Sequence, residues 1–174
     1  TNTKLTAREI AERDQLEIDS AIWLKNYVSL EELTGKKSNY KLNKVVTKDP
    51  NEAAKEVRKI FNIKEDAPVY DIVSLIENAG IKLYLHDFNF QKTFGLSVNE
   101  EDGGPAIIVN NSESISVERK IFTIAHELGH LILHKTSFDG KFAEENETEE
   151  KEADTFAAEF LMPEKAFIKQ WEAH

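Results

Sequence analysis

One run of twelve residues, Thr123-Ile124-Ala125-His126-Glu127-Leu128-Gly129-His130-Leu131-Ile132-Leu133-His134, constrains the fold of this chain more than any other. Its apolar positions recur at helical spacing. Two histidines four positions apart on a helix lie about 40° apart around its axis and roughly 6 Å apart along it. Both imidazoles can therefore converge on one ion at about 2.0 to 2.1 Å, and the carboxylate beside the first histidine can reach a water held there. The spacing predicts a single zinc ion (Zn2+) at this helix, with His126 and His130 as ligands and Glu127 handling protons. A catalytic zinc takes three protein ligands and keeps one position open, where water is acidified to a pKa near 7.

The third ligand must come from elsewhere in the chain. Leu131-Ile132-Leu133 continues the helix without the glycine bend that would bring in a nearby third histidine. His134 stays on the same stripe, but its Cα lies about 12 Å along the axis from His126, too far for all three to share one ion. It reads as a helix-end residue, favourable near the negative end of the dipole. The later segment Glu149 to Pro163 repeats apolar residues at Ala153, Phe156, Ala157, Phe160 and Leu161, an amphipathic helix ended by Pro163. Glu150 and Asp154 share one face of it. In that spacing the glutamate binds zinc and the aspartate, one turn on, fixes a ligand histidine through its other ring nitrogen. Glu150 is favoured and Glu152 stays a rival, because the acidic run from Glu144 to Glu152 is rich enough in carboxylates to be a solvated face alone.

At these residues the chain resembles the ImmA/IrrE family of metallopeptidases. The resemblance rests on the stretch from Arg119 through His134 and on Glu150-Lys151-Glu152-Ala153-Asp154-Thr155-Phe156-Ala157-Ala158-Glu159-Phe160-Leu161-Met162-Pro163, and extends more loosely over residues 50 to 170. It implies an α+β, zincin-like fold of the gluzincin type, with a small, mostly antiparallel three-stranded sheet packed with helices that include the His-Glu-x-x-His helix. It also implies His126, His130 and Glu150 as zinc ligands and Glu127 as general acid/base. Family members commonly cleave or antagonise helix-turn-helix repressors, so the implied partner is a protein substrate, a transcriptional repressor. Many carry an Xre-like DNA-binding domain ahead of the peptidase.

Composition narrows the alternatives. A formal charge of -10 argues against this segment gripping phosphate backbones unaided. No cysteine occurs, which excludes a disulfide framework and a thiolate zinc site. No apolar run approaches the ~18 to 20 residues that span a bilayer, and no signal-peptide pattern opens the sequence, so a cytoplasmic location is expected.

Along the chain, residues 1–48 read as a long N-terminal helix from Thr6 to Leu33, ended by Gly35, and a linker, and residues 49–174 as the metallopeptidase-like domain. In the resembled family such a helix often joins an upstream Xre-type domain to the peptidase, which implies a fragment of a longer regulator; the alternative is a free-standing protein whose first helix packs on its own core. Asp49-Pro50 opens a helix to about Phe61, and a second runs from about Val69 to Ala79. Ile81 to Leu85, Phe94 to Val98 and Ala106 to Val109 are strands, the last two joined through Glu101-Asp102-Gly103-Gly104-Pro105. Ser116 caps the metal helix, and residues 164–172 form a last helix. An edge strand beside the metal would hold a substrate backbone by β-addition, and either Phe94 to Val98 or Ala106 to Val109 is a candidate. His86, Tyr84 and Tyr70 are candidate donors for transition-state charge, and Arg119, two turns before His126, could orient an acidic group. Three classes remain: a zinc endopeptidase acting on a regulatory protein, a zinc-containing regulator or sensor that works by partner binding with little proteolysis, and a structural domain with no metal. Ordinary histidine chemistry places the loss of zinc below about pH 6.

Overall fold

The computed structural model describes residues 5–91, 93–134 and 146–173; residues 144 and 145, the start of the acidic run, lie outside them. Its first helix, α1 (Ala7–Thr34), is delimited by local chemistry at both ends. Thr6 and Glu9 form a reciprocal capping box, and Gly35 takes the left-handed conformation at the C-terminus. Leu16 and Leu24 of α1 are buried against Phe88, Phe90, Val98, Ala106 and Ile108. A buried ion pair fixes that docking: Lys82 Nζ lies 3.4 Å from Glu31 Oε2, with the two side chains 5% and 8% exposed. Glu31 also accepts from the Ser38 amide, so neither buried charge is left without partners. Residues 36–48 have no regular structure, yet Leu42 and Val45 are fully buried in the main core.

Helix α2 (Pro50–Ile60) starts at the Asp49 cap with proline in the first turn. Helix α3 (Ile72–Asn78) is shorter than the expected Val69 to Ala79. Asp71 caps it by accepting from the Ser74 amide, while the Val69 amide is committed to the Leu161 carbonyl. Between α2 and α3, the Arg58 guanidinium, 3% exposed, donates to the carbonyls of Lys64, Ala67 and Phe160. It ties α2, the following loop and a distant helix end together. Replacing Arg58 by Met would remove a donor shared by three backbone acceptors, of which the Lys64 carbonyl keeps the Ala67 amide, and a loss of about 3 kcal/mol is expected from the urea midpoint.

Three strands follow: β1 (Lys82–His86), β2 (Gly95–Val98) and β3 (Ala106–Asn110), in the order β1-β3-β2. The β2–β3 hairpin is antiparallel and β1 pairs with β3 in parallel. The sheet is thus mixed, not mostly antiparallel as expected. Every residue of β3 is buried, and a strand apolar on both faces takes the central place with partners at both edges. That corrects one substrate-strand candidate: Ala106 to Val109 is central, and of the two candidates only Phe94 to Val98 stands at an edge.

Helix α4 (Val117–Leu133) begins at the Ser116 cap and packs Ile124, Ala125, Leu128, Leu131 and Ile132 into the main core. Helix α5 (Glu147–Leu161) lies alongside and adds Phe156, Ala157 and Phe160. Phe156 and Phe160 are fully buried, each contributing roughly 1.5 to 3 kcal/mol of apolar burial. Helix α6 (Glu164–Glu172) follows Pro163 and is held to the α2–α3 loop by Lys165–Glu65 and Lys169–Asp66. Among the described residues no helix is long and apolar enough to cross a membrane.

Candidate metal centre

The apolar stripe of α4 faces the core, which turns His126 and His130 toward α5. Their Nε2 atoms stand 3.0 Å apart. From α5, Glu150 places Oε2 at 3.3 Å from His126 Nε2 and Oε1 at 3.2 Å from His130 Nε2. Among the described residues these three form the group whose ligand atoms all lie within 4.8 Å of one another. Tetrahedral zinc with bonds of about 2.0 to 2.1 Å has ligand–ligand edges of roughly 3.3 Å. Two imidazole nitrogens and one carboxylate at this spacing fit such an ion.

The outer nitrogens of the histidines are also engaged. His126 Nδ1 lies 2.8 Å from Asp154 Oδ1, the orienting contact that the Glu150/Asp154 spacing implies. His130 Nδ1 lies 2.9 Å from His134 Nδ1, and His134 Nε2 lies 2.9 Å from Glu152 Oε2. Glu152, the rival ligand, therefore faces His134 and stands outside the donor group. His134 caps α4, its amide donating to the His130 carbonyl, but its ring does more than end a helix.

Close approach of the backbones makes this geometry possible. A Cβ on Gly129 would stand 3.2 Å from the Ala153 Cα and 3.2 Å from Phe156 Cδ1, so α4 and α5 touch at this glycine. A Cβ on Gly95 would stand 2.7 Å from Thr123 Cγ2 and 3.1 Å from Glu127 Cγ. Strand β2 thus lies directly over Glu127, whose side chain is 7% exposed and within hydrogen-bonding reach of Ser97. Gly95 and Ser97 carry no motif, and Gly129 lies within the His-Glu-x-x-His run at a position that spacing leaves without a role; the tertiary approach gives all three a place at the site.

Electrostatics follow from this crowding. Burial pulls the His126 imidazole down, but Glu150, Glu127 and Asp154 outweigh it and raise it to about 9 in the metal-free protein. Hydrogen bonds with His126 and then His130 hold the Glu150 carboxyl far below the usual carboxylate range. Burial pushes the Glu127 carboxyl up, against the opposing pull of His130 and His126.

The remaining expected residues sit elsewhere. Tyr84 stacks on Trp23 of α1 and its hydroxyl lies 3.3 Å from His86 Nδ1, while His86 Nε2 is 3.5 Å from Asp19. Tyr70 is 82% exposed before α3. Arg119 covers the Phe94 ring at 4.3 Å, and among the described residues it has no acidic partner.

A mixed sheet backed by a His-Glu-x-x-His helix, with a second helix supplying a carboxylate to the same point, defines a zincin-like α+β domain of the metallopeptidase type. Residues 76–174 match the model of the M78 peptidase family, described as the IrrE N-terminal-like domain, and the chain belongs to that family. No curated protein and no solved structure matches it.

Proposed function

We propose that this chain is a zinc-dependent endopeptidase that hydrolyses a peptide bond in a regulatory protein, a helix-turn-helix repressor. The observation that carries the reading is the convergence of His126, His130 and Glu150 at 3.0 to 3.3 Å beside a buried carboxylate. Zinc bound there would polarise the scissile carbonyl and acidify a water. Glu127, its proton affinity raised by burial, takes a proton from the attacking water and delivers it to the departing amine. Asp154 keeps His126 turned so that Nε2 faces inward. The outer edge of β2, which among the described residues pairs with no other strand, takes the substrate backbone once the Thr93 hydroxyl yields the Gly95 amide and carbonyl, and presents it alongside Glu127.

The test is metal-dependent cleavage of purified candidate repressors. Zinc-loaded protein is expected to cut, chelation to stop it, and one equivalent of zinc to restore it. Glu150→Gln is expected to lower zinc affinity and cleavage together. Zinc retained with no cleavage of any repressor would instead favour action by partner binding, and protein that takes up no zinc would end the proposal.

The raised His126 value changes the expected pH dependence. A ligand histidine must be neutral, and His126 keeps its proton up to about 9 in the metal-free protein. Zinc uptake near pH 7.5 should therefore release that proton, and affinity should climb up to about tenfold per pH unit until about 9. The loss of affinity thus sets in well above the pH expected from an ordinary histidine. The metal-free protein is expected to follow the opposite trend. The stabilisation from protonated His126 is complete below its unfolded value of about 6.5 and is lost as pH rises through about 9. Titration calorimetry in buffers of different ionisation heat counts the protons, and an affinity unchanged between those two pH values would refute the linkage.

A further inference from the structure

We infer that His134 and Glu152 form a hydrogen-bonded relay that sets the tautomer of His130, so that both act as positioning residues for this ligand. The inference rests on the metal-site reading above. Its starting point is that every ring nitrogen of the three histidines at the site has a partner, and the partners dictate where the hydrogens sit.

An ionised carboxylate only accepts hydrogen bonds. Glu152 Oε2, 2.9 Å from His134 Nε2, therefore requires the hydrogen of a neutral His134 ring on Nε2, which leaves Nδ1 as an acceptor. That acceptor faces His130 Nδ1 at 2.9 Å, so the hydrogen between the two rings belongs to His130 Nδ1. His130 Nε2 is then bare, and it is the atom that faces His126 Nε2 at 3.0 Å and Glu150 Oε1 at 3.2 Å. Asp154 imposes the same arrangement on His126 in one step, through Nδ1 at 2.8 Å. The opposite tautomer of His134 would put a hydrogen on its Nδ1, turn His130 Nδ1 into the acceptor, and leave a hydrogen on the very nitrogen that must bind the ion.

Helix capping does not account for these contacts. The His134 backbone amide already donates to the His130 carbonyl at 2.9 Å, and both ring bonds are additional to it. The ring is 8% exposed, so its nitrogens meet protein partners in place of water. The alternation along α5 assigns each acid separately: Glu150 joins the donor group, Asp154 orients His126, and Glu152 reaches His130 through His134.

The experiment measures zinc affinity by chelator competition for the unmodified protein, His134→Phe, His134→Gln, Glu152→Leu and the His134→Phe/Glu152→Leu double variant, with circular dichroism as the check on folding. Each apolar single variant is expected to bind zinc about 10 to 100-fold more weakly. His134→Gln, whose carbonyl can accept the His130 hydrogen, should recover part of that loss. The double variant should be no weaker than His134→Phe alone, because Glu152 has nothing left to act on. Zinc affinity unchanged in folded His134→Phe, or losses that simply add in the double variant, would overturn the relay while leaving the metal site intact. Failure of the unmodified protein to bind zinc would instead sink the metal-site reading. Should the variants not fold, the nitrogen-15 spectrum of the unmodified zinc-loaded protein decides: hydrogens on His134 Nε2 and His130 Nδ1 support the relay, and a hydrogen on His134 Nδ1 refutes it.

Discussion

Glu127→Gln is expected to slow cleavage by about 10² to 10⁴-fold while leaving zinc content and fold unchanged. Glutamine matches glutamate in size and keeps an acceptor oxygen, so the packing under β2 survives, but it cannot shuttle a proton. A loss of that size corresponds to roughly 3 to 5.5 kcal/mol of barrier, within what one positioned acid/base supplies. The environment argues for the upper part of the range. Glu127 is buried beneath Gly95 and lies within reach of the Ser97 hydroxyl, so bulk water cannot readily replace it as a base. Its carboxyl is pushed up by burial, toward the working pH at which a proton acceptor is most effective. Cleavage at an unchanged rate would show that another group carries the proton, and would remove Glu127 from the mechanism.

Much of this arrangement is legible from local spacing, because local spacing is what a helix preserves. The i, i+4 histidines, the Glu150/Asp154 pair and the caps at Asp49 and Ser116 each depend on a few consecutive residues, and the structure has all of them in place. What is not legible depends on how elements meet. The central place of β3 goes with its burial on both faces, and the parallel pairing of β1 with it depends on how the chain crosses over, neither of which the alternating pattern of β1 signals. Lys82 finds Glu31, and Arg58 the Phe160 carbonyl, across long separations that no spacing rule connects. His134 reads as a helix end because its distance along the axis excludes it as a ligand. Its role emerges only once the rotation of α5 brings Glu152 to its far nitrogen. Glu152 looked like a rival to Glu150 for the same reason.

Gly129→Val is expected to cost about 1 to 3 kcal/mol through overpacking, a fall in Tm on the order of 5 °C for a chain of this size, and to weaken zinc binding by at least tenfold. The first atom added at this position would already stand 3.2 Å from Ala153 and Phe156, and valine adds two more. Since Ala153 belongs to the backbone of α5, relief requires moving the helix that carries Glu150. Metal bonds tolerate only about 0.2 Å, so a shift too small to unfold the protein is large enough to pull the carboxylate off the ion. Gly129→Ala sharpens the argument through its sign. A glycine inside a helix costs about 1 kcal/mol relative to alanine, and alanine would stabilise the protein if the close approach had no purpose. The expected result is a zinc-dependent gain in Tm that shrinks in Gly129→Ala and nearly vanishes in Gly129→Val, measured with zinc and with chelator. A full zinc-dependent gain in both variants would mean that the contact between α4 and α5 does not set the position of the third ligand.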